Sequence, residues 1–473
     1  MKNKQVLRRL VSGILAAAVA VSSVMVPTTA NDSVDLSELS SNGISIVSPG
    51  KDKLPPLEDL GYKDEDEVRV SIVLEDASTI KAGFDIETIA VDSKAIAYRD
   101  NLKIKQLDLT KKIENTTKAE LDVVHNLTLA ANLISANVKF GQIKDIEKVN
   151  GVKSVLVETK YDAAKTVDTD GDKPNMSTSS GQIGSAAAWA EGYTGAGSVV
   201  AVIDTGIDSD HQSFDADAFM YSLKQNAKKL GVTVDEYVKS LDLLDAAKVE
   251  AVADQLNVAI DPAKTYISTK IPFAYNYVDL DYDITHDNDT QGGHGSHVEG
   301  IAAANKYVKD SYGDYVSALD NTFVQGVAPD AQIITMKVFG KNGGAYDSDY
   351  MLAIEDAIVL GADSINLSLG SANGGTSKHT EAEYQKILDE LSKSGAVVAI
   401  SAGNSGHWAD NSYTGGLLYN DDVNSQTNGS PGSYTNAFTV ASVENSGLYS
   451  PYIIVNGEIV TYNESLVGND GTP

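Results

Sequence analysis

From residue 183 onward, short apolar runs alternate with longer segments whose apolar positions recur every three to four residues. GSVVAVID (197–204), AQIITMKVF (331–339), DSINLSL (363–369), AVVAISAG (396–403) and FTVASV (438–443) are short apolar runs bounded by turn formers, the pattern of buried strands. HVEGIAAA (297–304) opens a helix, and EAEYQKILDELSKSG (381–395) reads as an amphipathic one. DSDYMLAIEDAIVLGA (347–362) puts Tyr350, Met351, Ile354 and Ile358 on one helical face, with Gly361 near the C-cap. Strands joined by crossover helices predict an α/β fold, a doubly wound parallel sheet. Residues 215–265 interrupt the alternation with a charged, helix-forming insertion. It is expected to be a surface excursion, or else one wall of a substrate groove. There is no internal repeat.

The pattern upstream is different. Between 67 and 160 a strand-like VRVSIVL (68–74), helical patterns through 103–135 and a strand-like VKSVLVETKY (152–161) predict a small α/β domain. KTVDTDGDKPNMSTSSGQ (165–182) has the composition of an exposed linker. The first thirty residues combine Lys2, Lys4, Arg8 and Arg9 with an apolar stretch from Leu10 to Val26 and a small-residue exit, the pattern of a secretory signal peptide cleaved near Ala30. An uncleaved anchor is the alternative, since the stretch is near the minimum for a span. The expected organisation is therefore signal peptide 1–30, linker 31–66, small domain 67–165, linker 166–182 and main domain 183–445 carrying the insertion. Residues 446–473 begin something further.

Composition narrows the function. The 473 residues allow several domains, and 42% hydrophobic content is enough for a substantial core. A formal charge of -29 argues against nucleic acid, which needs concentrated Lys and Arg, and disfavours anionic membrane surfaces. The chain has no cysteine, so disulfides, thiolate catalysis and cysteine-ligated metals are excluded.

In open parallel sheets, sites form at the carboxyl ends of strands. Asp204 ends one predicted strand, Ser368 lies at the end of another, and Asn404 follows a third. His294 stands at a helix start. An Asp can fix a His tautomer so that the His acts as general base for a hydroxyl nucleophile, and an Asn amide can donate to an oxyanion. These are three of the four parts of an acyl-transfer site. A zinc helix would need His at i and i+4 with Glu between. Here His294 and His297 are three apart, Gly295 and Ser296 intervene, and Glu299 lies on the wrong side. Metal binding and simple helix capping remain the competing readings of this stretch.

VVAVIDTGID (199–208), GGHGSHVEGIAAA (292–304), INLSLGS (365–371) and ISAGNSG (400–406) resemble, in order and spacing, the subtilisin-like serine proteases. The resemblance covers roughly 180–445. It implies Asp204 and His294 as triad members, His297 as a packed structural histidine and Asn404 as the oxyanion-hole donor. It implies Ser368, Leu369 and Gly370 as the strand pairing with substrate, and Ser401, Ala402 and Gly403 as the opposite wall. It also implies that 67–165 is an inhibitory propeptide. The lactocepin-type cell-envelope proteinases are the nearest subgroup, with 446–473 as the start of a protease-associated insertion.

The nucleophile departs from the pattern. No serine after Asn404 stands in G-T-S-M-x-x-P, and GGTSKHT (374–380) precedes Asn404 and lacks the Met and Pro. The expectation is an N-terminal part of a secreted or cell-wall-associated endopeptidase acting on proteins or peptides, inactive as written. The alternative is a secreted peptide-binding relative without catalysis. No cofactor is expected for chemistry. Structural calcium is a candidate because DHQSFDAD (210–217) and DLDYD (279–283) are acidic, though solvated loops explain them equally and no EF-hand spacing occurs.

Overall fold

The computed structural model describes residues 60–163, 176–322, 324–370, 378–404, 428–434, 437–443 and 452–461. The expected signal peptide, most of both linkers and GGTS (374–377) lie outside them. The described residues fall within one compact unit.

Its first layer is a four-stranded antiparallel sheet built from β1 Glu67–Leu74, β2 Asp122–Leu127, β3 Leu133–Lys139 and β4 Val152–Val157, in the order β2-β3-β1-β4. Helix α1, Ser93–Thr117, starts where the Asp92 carboxylate accepts from Lys94 N–H, and ends at Lys118 in the left-handed region. The expected helix through 135 therefore stops at 117, and 122–139 is two strands. DVVHNL and LISANVK carry β-branched residues that pack once β3 is flanked by β1 and β2, and this tertiary pairing overrides a Leu- and Ala-rich pattern. Val70, Ile72, Ile134, Ala136 and Val155 close a core against Ile113.

The second layer is a six-stranded parallel sheet. Its strands are β6 Val199–Asp204, β7 Phe273–Asn276, β10 Gln332–Lys337, β12 Ser364–Leu367, β13 Val398–Ser401 and β14 Phe438–Val440. They lie in the order β14-β13-β12-β6-β10-β7. The sequence pattern does not predict β7; its four residues are too short a run to stand out from IPFAYNYV. Two short hairpins, β8 Tyr307–Lys309 with β9 Tyr315–Ser317 and β15 Tyr452–Val455 with β16 Glu458–Thr461, lie outside the sheet. The insertion forms helix α2, Ala216–Leu230, capped by Asp215 and terminated by Gly231, followed by shorter helices. α2 buries Phe219 and Leu223 completely, so the insertion is anchored and not merely laid on the surface. Helix α3 is His294–Ala303, α4 is Asp347–Val359 and α5 is Lys378–Ser394. Among the described residues no helix is long and apolar enough to cross a membrane.

All thirteen residues of α4 are buried, far more than the single apolar stripe the sequence suggests. The reason is the first layer. Ile89, Leu127 and Leu129 of the small domain share one apolar cluster with Tyr350 and Ile354 of α4 and Tyr384 of α5. The polar side of α4 is matched by specific bonds. Glu355 accepts backbone N–H bonds from Leu129 at 2.9 Å, Ala130 at 2.7 Å and Ala131 at 3.1 Å through one oxygen, and from Thr128 at 3.2 Å through the other. Asp349 accepts from His125 at 2.8 Å and Arg69 at 3.2 Å. Glu158 takes the hydroxyls of Ser71, Ser135 and Ser348, each at 2.8 Å.

Candidate active site

β6 runs between β12 and β10, so its carboxyl end is in the middle of the sheet edge. Asp204 closes β6 opposite Lys337 of β10. Leu367 stands opposite Ile203 and also opposite Ile400, which brings Ser368 and Ser401 to the same edge as Asp204. Parallel register, not proximity in sequence, gathers these residues.

The DTG and HGSH stretches are knitted together by backbone contacts that only glycine permits. A Cβ on Gly295 would lie 2.2 Å from the Gly206 carbonyl oxygen, and one on Gly206, whose φ is +107°, would lie 2.2 Å from that of Ile284. Thr205 Oγ1 accepts from Gly295 N–H at 2.8 Å, and Ser296 Oγ accepts from Asp208 N–H at 2.8 Å. The start of α3 therefore sits flush on the end of β6. In consequence His294 Nδ1 lies 2.7 Å from Asp204 Oδ1, which also accepts the Thr205 N–H at 2.7 Å. Asp204 is 1% exposed, whereas the His294 side chain keeps 17% of its surface open. The bond to Asp204 raises the His294 pKa above 6.5, burial opposes that, and the aspartate's charge adds to it.

Lys337 fixes the approach to this pair. Its buried ammonium donates to Thr205 O and to Asp289 Oδ2, each at 2.6 Å, and so ties the loop before His294 to β10. The sequence pattern alone gives Lys337 no role; a lysine inside an apolar strand run is the signal it offers. His297 departs from the expectation of a packed histidine: it lies on the exposed side of α3, while partial burial and the neighbouring His294 lower its pKa. The face of α3 against the sheet is set by Gly295, Glu299 and Ala303, spaced four apart, and His297 is out of that phase.

The substrate-side residues are arranged as follows. Ser368 Oγ accepts from Asn366 Nδ2 at 2.9 Å, Leu369 is buried at 4%, and Ser401 Oγ donates to Leu369 O at 3.5 Å. Gly370 is half-buried, Ala402 is buried with its N–H on Val440 O at 2.8 Å, and Gly403 has φ +94°. Asn404, three residues past Ser401, is exposed.

A second strand edge goes beyond the sequence expectations. β11, Ala345–Tyr346, pairs antiparallel with β5, Lys160–Tyr161, at the end of the small domain. Tyr161 is 1% exposed, its hydroxyl donates to Asp347 Oδ1 at 2.7 Å, and its ring meets that of Tyr350 edge-on at 5.9 Å. Burial, with the nearby Glu158, pushes the Asp347 carboxyl up to about 7.

Among the described residues no group of three His, Cys, Asp or Glu could hold a metal ion. The acidic stretch 279–283 uses its carboxylates internally: Asp279 accepts from Asn276 and Lys341 N–H, and Asp283 from Thr285 and Asn288.

The family profile described as the subtilase family matches residues 195–465. The chain belongs to the subtilase family. As a subtilase it is 31% identical over 333 residues to the PII-type proteinase of Lacticaseibacillus paracasei, covering 68% of this chain and 15% of the relative. It is 28% identical over 324 residues to the minor extracellular protease Vpr of Bacillus subtilis strain 168, covering 67% of this chain and 29% of that one. The chain thus spans 15% of the length of the first of these. A crystal structure of the epidermin leader peptide processing serine protease from Staphylococcus aureus aligns over 79% of this chain and 69% of that one, at 18% identity and a TM-score of 0.42. Subtilase membership accounts for the parallel sheet and for the order of the DTG, HGSH, SLG and SAGN stretches.

Proposed function

We propose that this chain carries the Asp and His of an Asp-His-Ser triad in a secreted or cell-wall-associated serine endopeptidase that hydrolyses peptide bonds. The observation that carries the reading is the 2.7 Å contact between Asp204 Oδ1 and His294 Nδ1. With Nδ1–H donating to Asp204, the other ring nitrogen, Nε2, is left unprotonated and can take a serine hydroxyl proton. Asp204 then stabilises the imidazolium, and the proton passes on to the leaving amine. The Asn404 amide donates to the oxyanion that develops on the scissile carbonyl. Ser368, Leu369 and Gly370 line one side of the peptide groove, and Ser401, Ala402 and Gly403 the other.

Residues 67–165 act as an inhibitory propeptide, the chain's own partner. β5 lies on the edge of β11 as an extended peptide would, and Tyr161 fills the wall beside it. The serine nucleophile is not supplied by any residue of 405–473 in the family's G-T-S-M-x-x-P setting. The 473 residues as written are expected to bind peptide without ordinary turnover. No cofactor, nucleic acid or membrane span enters the reaction.

The test is casein hydrolysis by the 473-residue chain and by the product of the whole reading frame. The frame's product should be active and lose about 10^4-fold or more with H294A or D204A, a scale set by triad removal in subtilisin and not by this structure. Ordinary turnover by the 473-residue chain, abolished by S377A, would overturn the assignment of the nucleophile. No hydrolysis by either product would instead leave a peptide-binding relative.

A further inference from the structure

The two oxygens of Asp204 are used unequally. Oδ1 accepts from both His294 Nδ1 and Thr205 N–H, while Oδ2, equally buried, has no hydrogen-bond partner among the described residues. A buried carboxylate oxygen without a donor is costly, so the nearest group able to supply one has a specific task. Lys337, opposite Asp204 in the sheet, is turned to Thr205 O and Asp289. Glu299 remains.

Glu299 is 1% exposed, on the face of α3 that packs against the sheet. Its Oε1 accepts from Thr335 Oγ1 at 2.8 Å, and its Oε2 is a second buried oxygen without a partner. Thr335 stands opposite Val202, and Lys337 stands opposite Asp204. The anchor of Glu299 is therefore one same-face step below the aspartate, about 6–7 Å along the strand. Two buried, unpartnered carboxyl oxygens one layer apart would repel each other if both groups were ionised. A protonated carboxyl, in contrast, has one O–H to give. Burial pushes the Glu299 carboxyl well up from its ordinary value; its bond from Thr335 works against this, and the charge of Asp204 adds to it.

We propose that Glu299 is a positioning residue for the Asp204–His294 pair. Held as a neutral acid, it directs its O–H to Asp204 Oδ2 across one water, and limits how strongly Asp204 holds the His294 proton. The inference rests on reading that pair as the base of the reaction. The groups facing Glu299 are Thr335 and Asp204; the ammonium of Lys337 is taken up by Asp289.

The test is the His294 titration, followed by NMR in the full 473-residue chain labelled at histidine and assigned with H294A. E299Q keeps a neutral donor, and the His294 midpoint should stay within about 0.2 pH units of wild type. E299L removes the donor, leaves Asp204 a stronger acceptor, and should raise the midpoint by about 0.5 units or more. A fall of about 0.5 units or more in E299Q would show that Glu299 is ionised and overturn the proposal. An unchanged midpoint in E299L would overturn it too. Where E299L fails to fold, T335V releases the anchor, and a midpoint unmoved by T335V overturns the proposal equally. D204N separates this from the underlying reading: if D204N leaves His294 unmoved, the base pair itself is wrong, whatever Glu299 does.

Discussion

Tyr161 donates its hydroxyl to Asp347 at 2.7 Å, so the last strand of the small domain is locked to the first turn of the helix behind the β11 edge. The same Asp347 accepts Thr159 N–H at 2.7 Å and Tyr350 Oη at 3.0 Å. Y161F leaves that buried acceptor one donor short and should cost about 1–3 kcal/mol of stability. Y161A also opens a cavity and should cost about 3–5 kcal/mol. Urea titrations of the two variants against wild type measure both. Equal stability of all three would mean that the strand does not hold the domain in place.

Glu355 serves as the acceptor for a whole loop. Its carboxyl takes the N–H groups of 128–131, and E355A leaves them buried and unpaired. The loss should reach about 3 kcal/mol or more. Hydrogen exchange reads it locally: the amides of 128–131 should lose protection in E355A before those of β3 do.

The contact between the layers should weaken with rising pH. Burial pushes both Asp347 and Asp356 up to about 7, from ordinary values of 3.8. Glu158 and Glu355 are also raised by burial. A carboxyl raised on folding contributes stability that is complete below its unfolded pKa and is lost as pH climbs through the folded one. The window for the two aspartates is therefore about pH 4 to 7. The groups facing Asp347 are Glu158, Thr159 N–H, Tyr161 and Tyr350; those facing Asp356 are Asn257, Tyr277, Arg99 and Glu355. The melting midpoint should fall by about 1–2 °C or more between pH 5 and pH 8, the effect of about 1–2 kcal/mol on a chain of this size. The D347N/D356N double variant should flatten that slope. An unchanged slope in the double variant would contradict this assignment.

Gly295 is where the helix meets the strand. In G295A the new methyl would be 2.2 Å from the Gly206 carbonyl oxygen and 2.8 Å from its nitrogen, and both are backbone atoms that cannot swing aside. The variant should lose about 2 kcal/mol or more and displace His294 from Asp204. A crystal structure of G295A showing the 2.7 Å contact intact would contradict this.

The parallel sheet is legible in the sequence because its strands are short apolar runs closed by Gly or Asp, and the pairing of Asp204 with His294 is legible only through the resemblance of the stretches that hold them to the subtilisin-like proteases. Residues 122–135 read wrongly as helix because a Leu- and Ala-rich run has the same local pattern in a helix and in a strand covered on one face; the neighbours β1 and β2 decide. The outward turn of His297 depends on which face of α3 meets the sheet, and the spacing of Gly295, Glu299 and Ala303 carries that phase. Tyr161, Glu355 and Lys337 escape a sequence reading because Asp347 lies 186 residues from the first, the loop 128–131 lies 224–227 from the second, and Thr205 and Asp289 lie 132 and 48 from the third. No local pattern carries such a pairing.

The central claim, that Asp204 makes His294 a base, is tested most directly by the His294 titration in wild type and D204N. The account predicts a wild-type midpoint above 6.5, because the bond to Asp204 outweighs burial, and a fall to below 6.5 once the carboxylate becomes an amide and burial alone remains. A midpoint that D204N leaves within about 0.2 units of wild type would contradict it.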